Sequence, residues 1–126
     1  MRIGVPREVK QAERRVGLTP TSVRELTGRS HEVLVETEAG LGIGATDDHY
    51  QAAGAIVVDD VEQVWANAEM IVKVKEPQLV ERARLCDGQI LFTYLHLAPD
   101  HEQAHDLIAS QASCIAYETV TDSDGG

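Results

Sequence analysis

Arg15, Lys75 and His96 are the residues of this chain whose types suit joint chemistry. An arginine fork grips a carboxylate through two parallel hydrogen bonds. A lysine ammonium is a point charge that can polarise a carbonyl oxygen. A histidine titrates near neutrality and can pass a proton to a developing alkoxide or amine. As a set they suit a 2-oxo acid or an amino acid. Taken singly, they are a surface arginine, a lysine whose stem lies along apolar surface and a core histidine with its hydrogen bonds met.

The elements that would position them leave both readings open, since lone basic residues at strand ends are common. Lys75 lies in Val72-Lys73-Val74-Lys75-Glu76-Pro77, and His96 in Leu91-Phe92-Thr93-Tyr94-Leu95-His96-Leu97. Each segment reads as a buried strand that ends in a polar residue. Each is followed by a loop signal, Glu76-Pro77 and Pro99-Asp100. An ammonium at the end of a buried strand is costly unless an anion meets it. In open α/β sheets, ligands sit just beyond the carboxyl ends of the strands. Lys75 and His96 are therefore expected where a small anion would be held.

The rest of the chain alternates strand and helix. Strands are predicted over residues 3–5, 32–36, 55–58, 70–75, 89–95 and 113–117. Val33 and Val35 should share one face, with Leu34 on the other. Thr19-Pro20 starts a helix, the threonine as cap and the proline at the first helical position, and Gly28 ends it, with Val23 and Leu26 inward. Thr46 caps a short helix over 47–53. Further helices are predicted over 61–66, 78–84 and 101–110, the last capped by Asp100 and with Ala104, Leu107 and Ile108 inward. Strands 70–75, 89–95 and 113–117 are almost wholly apolar, as in strands buried on both faces. The expected class is α/β: a mostly parallel sheet with helices on both faces, a flavodoxin-like or Rossmann-like lobe.

Composition narrows the function. The 126 residues carry a net charge of −10, which argues against nucleic acid, whose phosphates need a basic footprint. No apolar run approaches the length of a membrane span, and the N-terminus lacks the apolar stretch of a signal peptide, so a cytoplasmic location is expected. Cys86 and Cys114 lie in different elements with no metal-ligand spacing and are read as two reduced thiols.

Two further motifs invite chemistry that their surroundings oppose. Gly40-Leu41-Gly42-Ile43-Gly44-Ala45 matches G-x-G-x-x-A, with Asp60 twenty residues on, the outline of a dinucleotide fingerprint. The helix behind it opens Thr46-Asp47-Asp48, however, and two carboxylates would face a pyrophosphate. A glycine-rich turn is the better reading. His101-Glu102-Gln103-Ala104-His105 is a literal H-E-x-x-H, but Glu118 is the sole obvious third ligand and lies past a strand. A solvated helix shoulder is the better reading there, and no metal site is expected.

Several stretches together resemble one family. Met1-Arg2-Ile3-Gly4-Val5-Pro6-Arg7-Glu8, Glu13-Arg14-Arg15-Val16 with Thr19-Pro20, His31-Glu32-Val33-Leu34-Val35-Glu36, Ala39-Gly40-Leu41-Gly42 and Ala52-Ala53-Gly54-Ala55 look like the start of alanine dehydrogenase and of the transhydrogenase α subunit. The Lys75-Glu76-Pro77 and Leu95-His96-Leu97 stretches, with Ala116-Tyr117-Glu118-Thr119-Val120, resemble alanine dehydrogenase in particular. The resemblance covers essentially the whole chain. It implies reversible, NAD-dependent deamination of L-alanine to pyruvate and ammonia. It implies further that Arg15 and Lys75 hold the substrate carboxylate and carbonyl, and that His96 is the acid/base. Where the family usually has an Asn-rich run before the key arginine, this chain has Gln11-Ala12 and Arg14. Arg29-Ser30 stands where the family usually has Gly before His31.

By the same resemblance, residues 1–126 form an N-terminal substrate-binding domain. The family's NAD site lies in a separate domain downstream, absent from this chain, so no cofactor is expected to bind the chain alone. The expectation is a substrate lobe that binds pyruvate or L-alanine and is inactive in isolation. An NAD-binding domain could complete it in trans, and apolar surface left bare could drive a homo-oligomer. Alternatives are a non-catalytic domain that binds a small anion or a partner chain, and a transhydrogenase α-subunit fragment.

Overall fold

Alternation decides the central strands. In Arg2–Val5 (β1), Ile3 and Val5 turn to one face of the sheet, and Gly4 faces Val64, Ala68 and Ile71 on the other. In Glu32–Glu36 (β2), Val33 and Val35 join Ile3 and Val5 in one core, as the period of two requires. The computed structural model describes residues 1–93 and 101–116, the side chain of His101 excepted.

Four more strands complete the sheet: Ile56–Val58 (β3), Met70–Val72 (β4), Ile90–Thr93 (β5) and Ser113–Ala116 (β6). All five pairings are parallel, in the order β3-β2-β1-β4-β5-β6. This is the doubly wound Rossmann order, and the expected α/β class holds. The chain grows outward from β1 in one direction and from β4 in the other. Their carboxyl ends therefore diverge and leave a crevice at the switch point.

Helices cover both faces. Pro20–Gly28 (α1) is capped as expected, the Thr19 hydroxyl accepting from Ser22 N at 3.2 Å. With Asp47–Ala52 (α2) it closes the first core through Val23 and Tyr50. Val61–Asn67 (α3) and His101–Ser110 (α5) close the second through Val64, Trp65 and Leu107, against Ile71 and Leu91. Leu79–Arg82 (α4) is a single turn, shorter than the expected 78–84, and packs beside α5.

Three expectations change. β4 stops at Val72: Lys73 N still donates to the Phe92 carbonyl of β5, but the Glu8 carboxylate rather than a neighbouring strand takes up the next two backbone N–H groups, those of Val74 and Lys75 (below). β6 is an edge strand, with Ser113 exposed and Ile115 42% exposed, so it is not buried on both faces. On α5 the inward stripe is Gln103 and Leu107, four residues apart, and Ile108 is 79% exposed. Residues 94–95, Asp100 and Tyr117, which the sequence places in strand, cap and strand, lie outside the described residues.

Two glycines set the site. Gly17 passes so close to the end of β4 that a Cβ there would lie 2.3 Å from the Val72 carbonyl oxygen. Gly42 passes so close to the loop before α1 that a Cβ would lie 2.1 Å from the Arg14 carbonyl oxygen. Backbone cannot yield as a flexible side chain can, so Gly17→Ala should cost about 1–3 kcal/mol. Thermal denaturation followed by circular dichroism reads that loss directly, and an unchanged midpoint would mean that the loop moves freely.

Candidate functional site

The loop from β1 to α1 and the loop from β4 to α4 meet at the crevice. The first carries Glu8, Glu13 and Arg15, and the second carries Lys75. Arg15 and Lys75, sixty residues apart in sequence, line one cleft of about 480 Å³ with Lys10 and Glu13. The cleft lies beyond the carboxyl ends of β1 and β4, where a doubly wound sheet holds its ligands.

Arg15 grips a carboxylate, that of Glu13. Glu13 Oε2 accepts from Arg15 Nε at 3.0 Å and from its backbone N at 2.8 Å, and Oε1 accepts from Nη2 at 3.0 Å. The side-on fork expected for a ligand carboxylate is therefore formed within the chain. The Arg15 guanidinium holds the Glu13 carboxyl down to about 2, against the opposing pull of desolvation, and the Lys75 charge adds to the effect. Glu13 thus stabilises the fold above the ordinary carboxylate range, and that contribution fades as pH falls from about 4.5 towards 2. A carbon-13 NMR titration of the Glu13 carboxyl should show a midpoint near 2 in the parent chain. Arg15→Met should return it towards the ordinary value, and an unmoved midpoint would discount the pair.

The desolvation cost ascribed to Lys75 falls on Lys73 instead. Lys73 is fully buried, and its Nζ donates to Glu8 Oε1 at 3.0 Å and stands 3.4 Å from Glu81 Oε1. The anions that meet the buried ammonium are therefore the chain's own. Both carboxylates are buried as well, with side chains 2% and 1% exposed. Burial pushes the Glu81 carboxyl up, and Glu8 adds to the push, while Lys73 opposes it. Among the described residues Glu81 Oε2 has no hydrogen-bond partner.

Lys75 is half-buried and keeps its side chain at the cleft. Lys10 pairs with Glu76 across the same loops. His96 lies outside the described residues, so its place relative to Arg15 and Lys75 is not defined. Glu8, Glu13 and Glu81 escaped the sequence reading. The signal for Glu8 and Glu81 was a second lysine, Lys73, inside an apolar run and demanding a counterion.

The two other motifs find structural roles. The glycine loop forms a 3₁₀ turn, Leu41–Ile43, and Gly44 takes a left-handed conformation, φ +79°. Gly42 presses on the Arg14 backbone, and Asp47 at the start of α2 accepts from Thr37 Oγ1 at 2.6 Å and Glu38 N at 2.8 Å. A pyrophosphate does not fit a loop already packed against a backbone, with two acidic residues in the first turn behind it. Asp60, at the ribose position of such a fingerprint, caps α3 by accepting from Glu62 N at 3.0 Å. In the H-E-x-x-H segment, Glu102 and His105 are exposed, and Glu118 lies outside the described residues. Among the described residues no three His, Cys, Asp or Glu side chains converge as metal ligands. Cys86 and Cys114 are free thiols. Among the described residues no helix is long and apolar enough to cross a membrane.

Comparison with known proteins identifies relatives of this chain. The family model "Alanine dehydrogenase/PNT, N-terminal domain" matches residues 4–126. The chain is 53% identical over 126 residues to the alanine dehydrogenase of Halomonas elongata, covering all of this chain and 34% of that protein. It is 50% identical over 125 residues to the alanine dehydrogenase of Mycobacterium tuberculosis H37Rv, covering 99% and 34%. The chain thus spans about a third of the length of these relatives. Among solved structures, an L-alanine dehydrogenase superposes with a TM-score of 0.96 at 47% identity, covering all of this chain and 35% of that one. A transhydrogenase from Sinorhizobium meliloti superposes with a TM-score of 0.87 at 25% identity, covering 94% and 34%. With a doubly wound sheet, a cationic crevice at its switch point and a family match from residue 4 to residue 126, the chain belongs to the alanine dehydrogenase/PNT N-terminal domain family.

Proposed function

We propose that this chain is the substrate lobe of an NAD-dependent L-alanine dehydrogenase, and that residues 1–126 bind pyruvate and L-alanine. The observation that carries the reading is the meeting of Arg15 and Lys75 at one cleft beyond β1 and β4. Arg15 takes the substrate carboxylate in the fork that Glu13 fills in the free chain. Lys75 directs its ammonium at the carbonyl oxygen and draws charge towards it. That same charge makes the carbonyl carbon more open to attack. His96 serves as the acid/base, by likeness to the family. The residues that form the glycine loop do not fit a dinucleotide, so the hydride exchange with NAD, which accepts hydride in deamination and returns it as NADH in the reverse reaction, is assigned to a part of the enzyme beyond this lobe, and the lobe alone should not oxidise NADH.

Isothermal titration of the chain with pyruvate, acetate and chloride tests the reading. Pyruvate should bind, and more tightly than acetate, because acetate satisfies the arginine and leaves the lysine with no carbonyl. Equal weak binding of all three would overturn it in favour of a general anion site. NADH oxidation with pyruvate and ammonium, beside His96→Ala, tests the remainder. Turnover by the chain that is lost in the variant would overturn the half-site reading.

A further inference from the structure

Lys75 is held by its backbone more closely than its place in a loop requires. Beyond Val72 the strand ladder ends with Lys73 N donating to the Phe92 carbonyl at 3.1 Å. Side chains then take over. Glu8 Oε2 accepts from Val74 N at 3.0 Å, and Glu8 Oε1 accepts from Lys75 N at 3.1 Å. The Lys75 carbonyl accepts from Thr93 Oγ1 at 2.7 Å and from Lys73 Nζ at 2.8 Å. Both polar groups of the Lys75 backbone are thus bound by buried side chains, Glu8 and Thr93 from two other segments of the chain and Lys73 from two residues back.

Glu8 belongs to the loop that carries Arg15, so it ties the two halves of the cleft together. It also brings the buried charge count to one cation and two carboxylates, although Glu81 already stands 3.4 Å from Lys73 and balances it. A second buried carboxylate is costly where one suffices. Its two backbone acceptor contacts explain its presence, because a neutral side chain cannot accept on both oxygens.

We propose that Glu8, seconded by Thr93, is a positioning residue that fixes the Lys75 backbone and so aims its ammonium across the cleft at Arg15's ligand. The proposal rests on the substrate reading above and adds residues to it. Neither Glu8 nor Thr93 need touch the substrate.

The two carboxylates of the cluster supply a matched pair of variants. Glu8→Gln leaves Lys73 balanced by Glu81, yet sets an amide NH2 against a backbone N–H. Glu81→Gln leaves Lys73 balanced by Glu8 and the Lys75 contacts intact. Pyruvate titration of the parent, of each variant and of Thr93→Val, with thermal midpoints measured beside it, decides the matter. Glu8→Gln should weaken pyruvate at least tenfold and Thr93→Val a few-fold, while Glu81→Gln stays within twofold at any midpoint. Equal affinities in Glu8→Gln and Glu81→Gln would overturn the proposal and leave the substrate reading standing. If Glu8→Gln does not fold, parent-like affinity in Thr93→Val overturns it. A parent chain that binds no pyruvate overturns both.

Discussion

Lys73→Met should lower the thermal midpoint of this chain by roughly 10–25 °C. The substitution removes the single buried cation among the described residues and leaves Glu8 and Glu81 in the interior without it. Breaking a buried pair from one side costs about 3–5 kcal/mol, because the remaining charge has lost its counterion without regaining water. For a domain of this size each kcal/mol moves the midpoint by about 3–5 °C. Adding Glu81→Gln should recover part of the loss, since one of the stranded carboxylates then goes. A methionine variant that melts with the parent would mean that both carboxyls are already neutral, and that the ion pairs contribute nothing.

Arg15→Met should act chiefly on the ligand. The Arg15 side chain is 60% exposed, and its pair with Glu13 spans only two residues, so its removal, although it releases the Glu13 carboxyl, should cost the fold less than that of Lys73. Loss of a bidentate, charge-assisted contact costs about 2–3 kcal/mol of binding. The pyruvate affinity should fall roughly 30- to 150-fold. Lys73→Met and Arg15→Met therefore separate the two cationic centres, one carrying stability and the other affinity. Full affinity in Arg15→Met would assign the carboxylate to Arg14 or Lys10, which line the same cleft.

The sequence disclosed most where the deciding interactions are local. Thr19-Pro20 and Thr46 announced their helices, because a cap bonds a backbone N–H three residues on. Val33 and Val35 declared the inner face of β2 by their spacing alone. Legibility failed where distant residues decide. Nothing local ends β4 at Val72, since the competitor for its N–H groups is Glu8, 66 residues away. The same distance hid the owner of the buried-lysine penalty: an isolated strand end cannot say whether Lys73 or Lys75 meets a carboxylate. On α5 the stripe slipped by one residue because Gln103, polar and fully buried, outranks Ala104. The site pair itself, Arg15 with Lys75, was proposed from residue type and family resemblance, and the parallel sheet brings the two to one cleft.

The contact between Glu8 and Lys73 also bears on how the chain comes off the ribosome. It joins residues 65 apart, and the pairing of β1 with β4 that carries it spans a similar distance. Loops of that length close slowly compared with helices and neighbouring strand pairs. During synthesis β1, α1 and β2 emerge first, and Glu8 waits as an uncommitted carboxylate until β4 follows. The anion cleft therefore cannot form before β4 has emerged, and its appearance marks the moment at which the two halves of the sheet have joined.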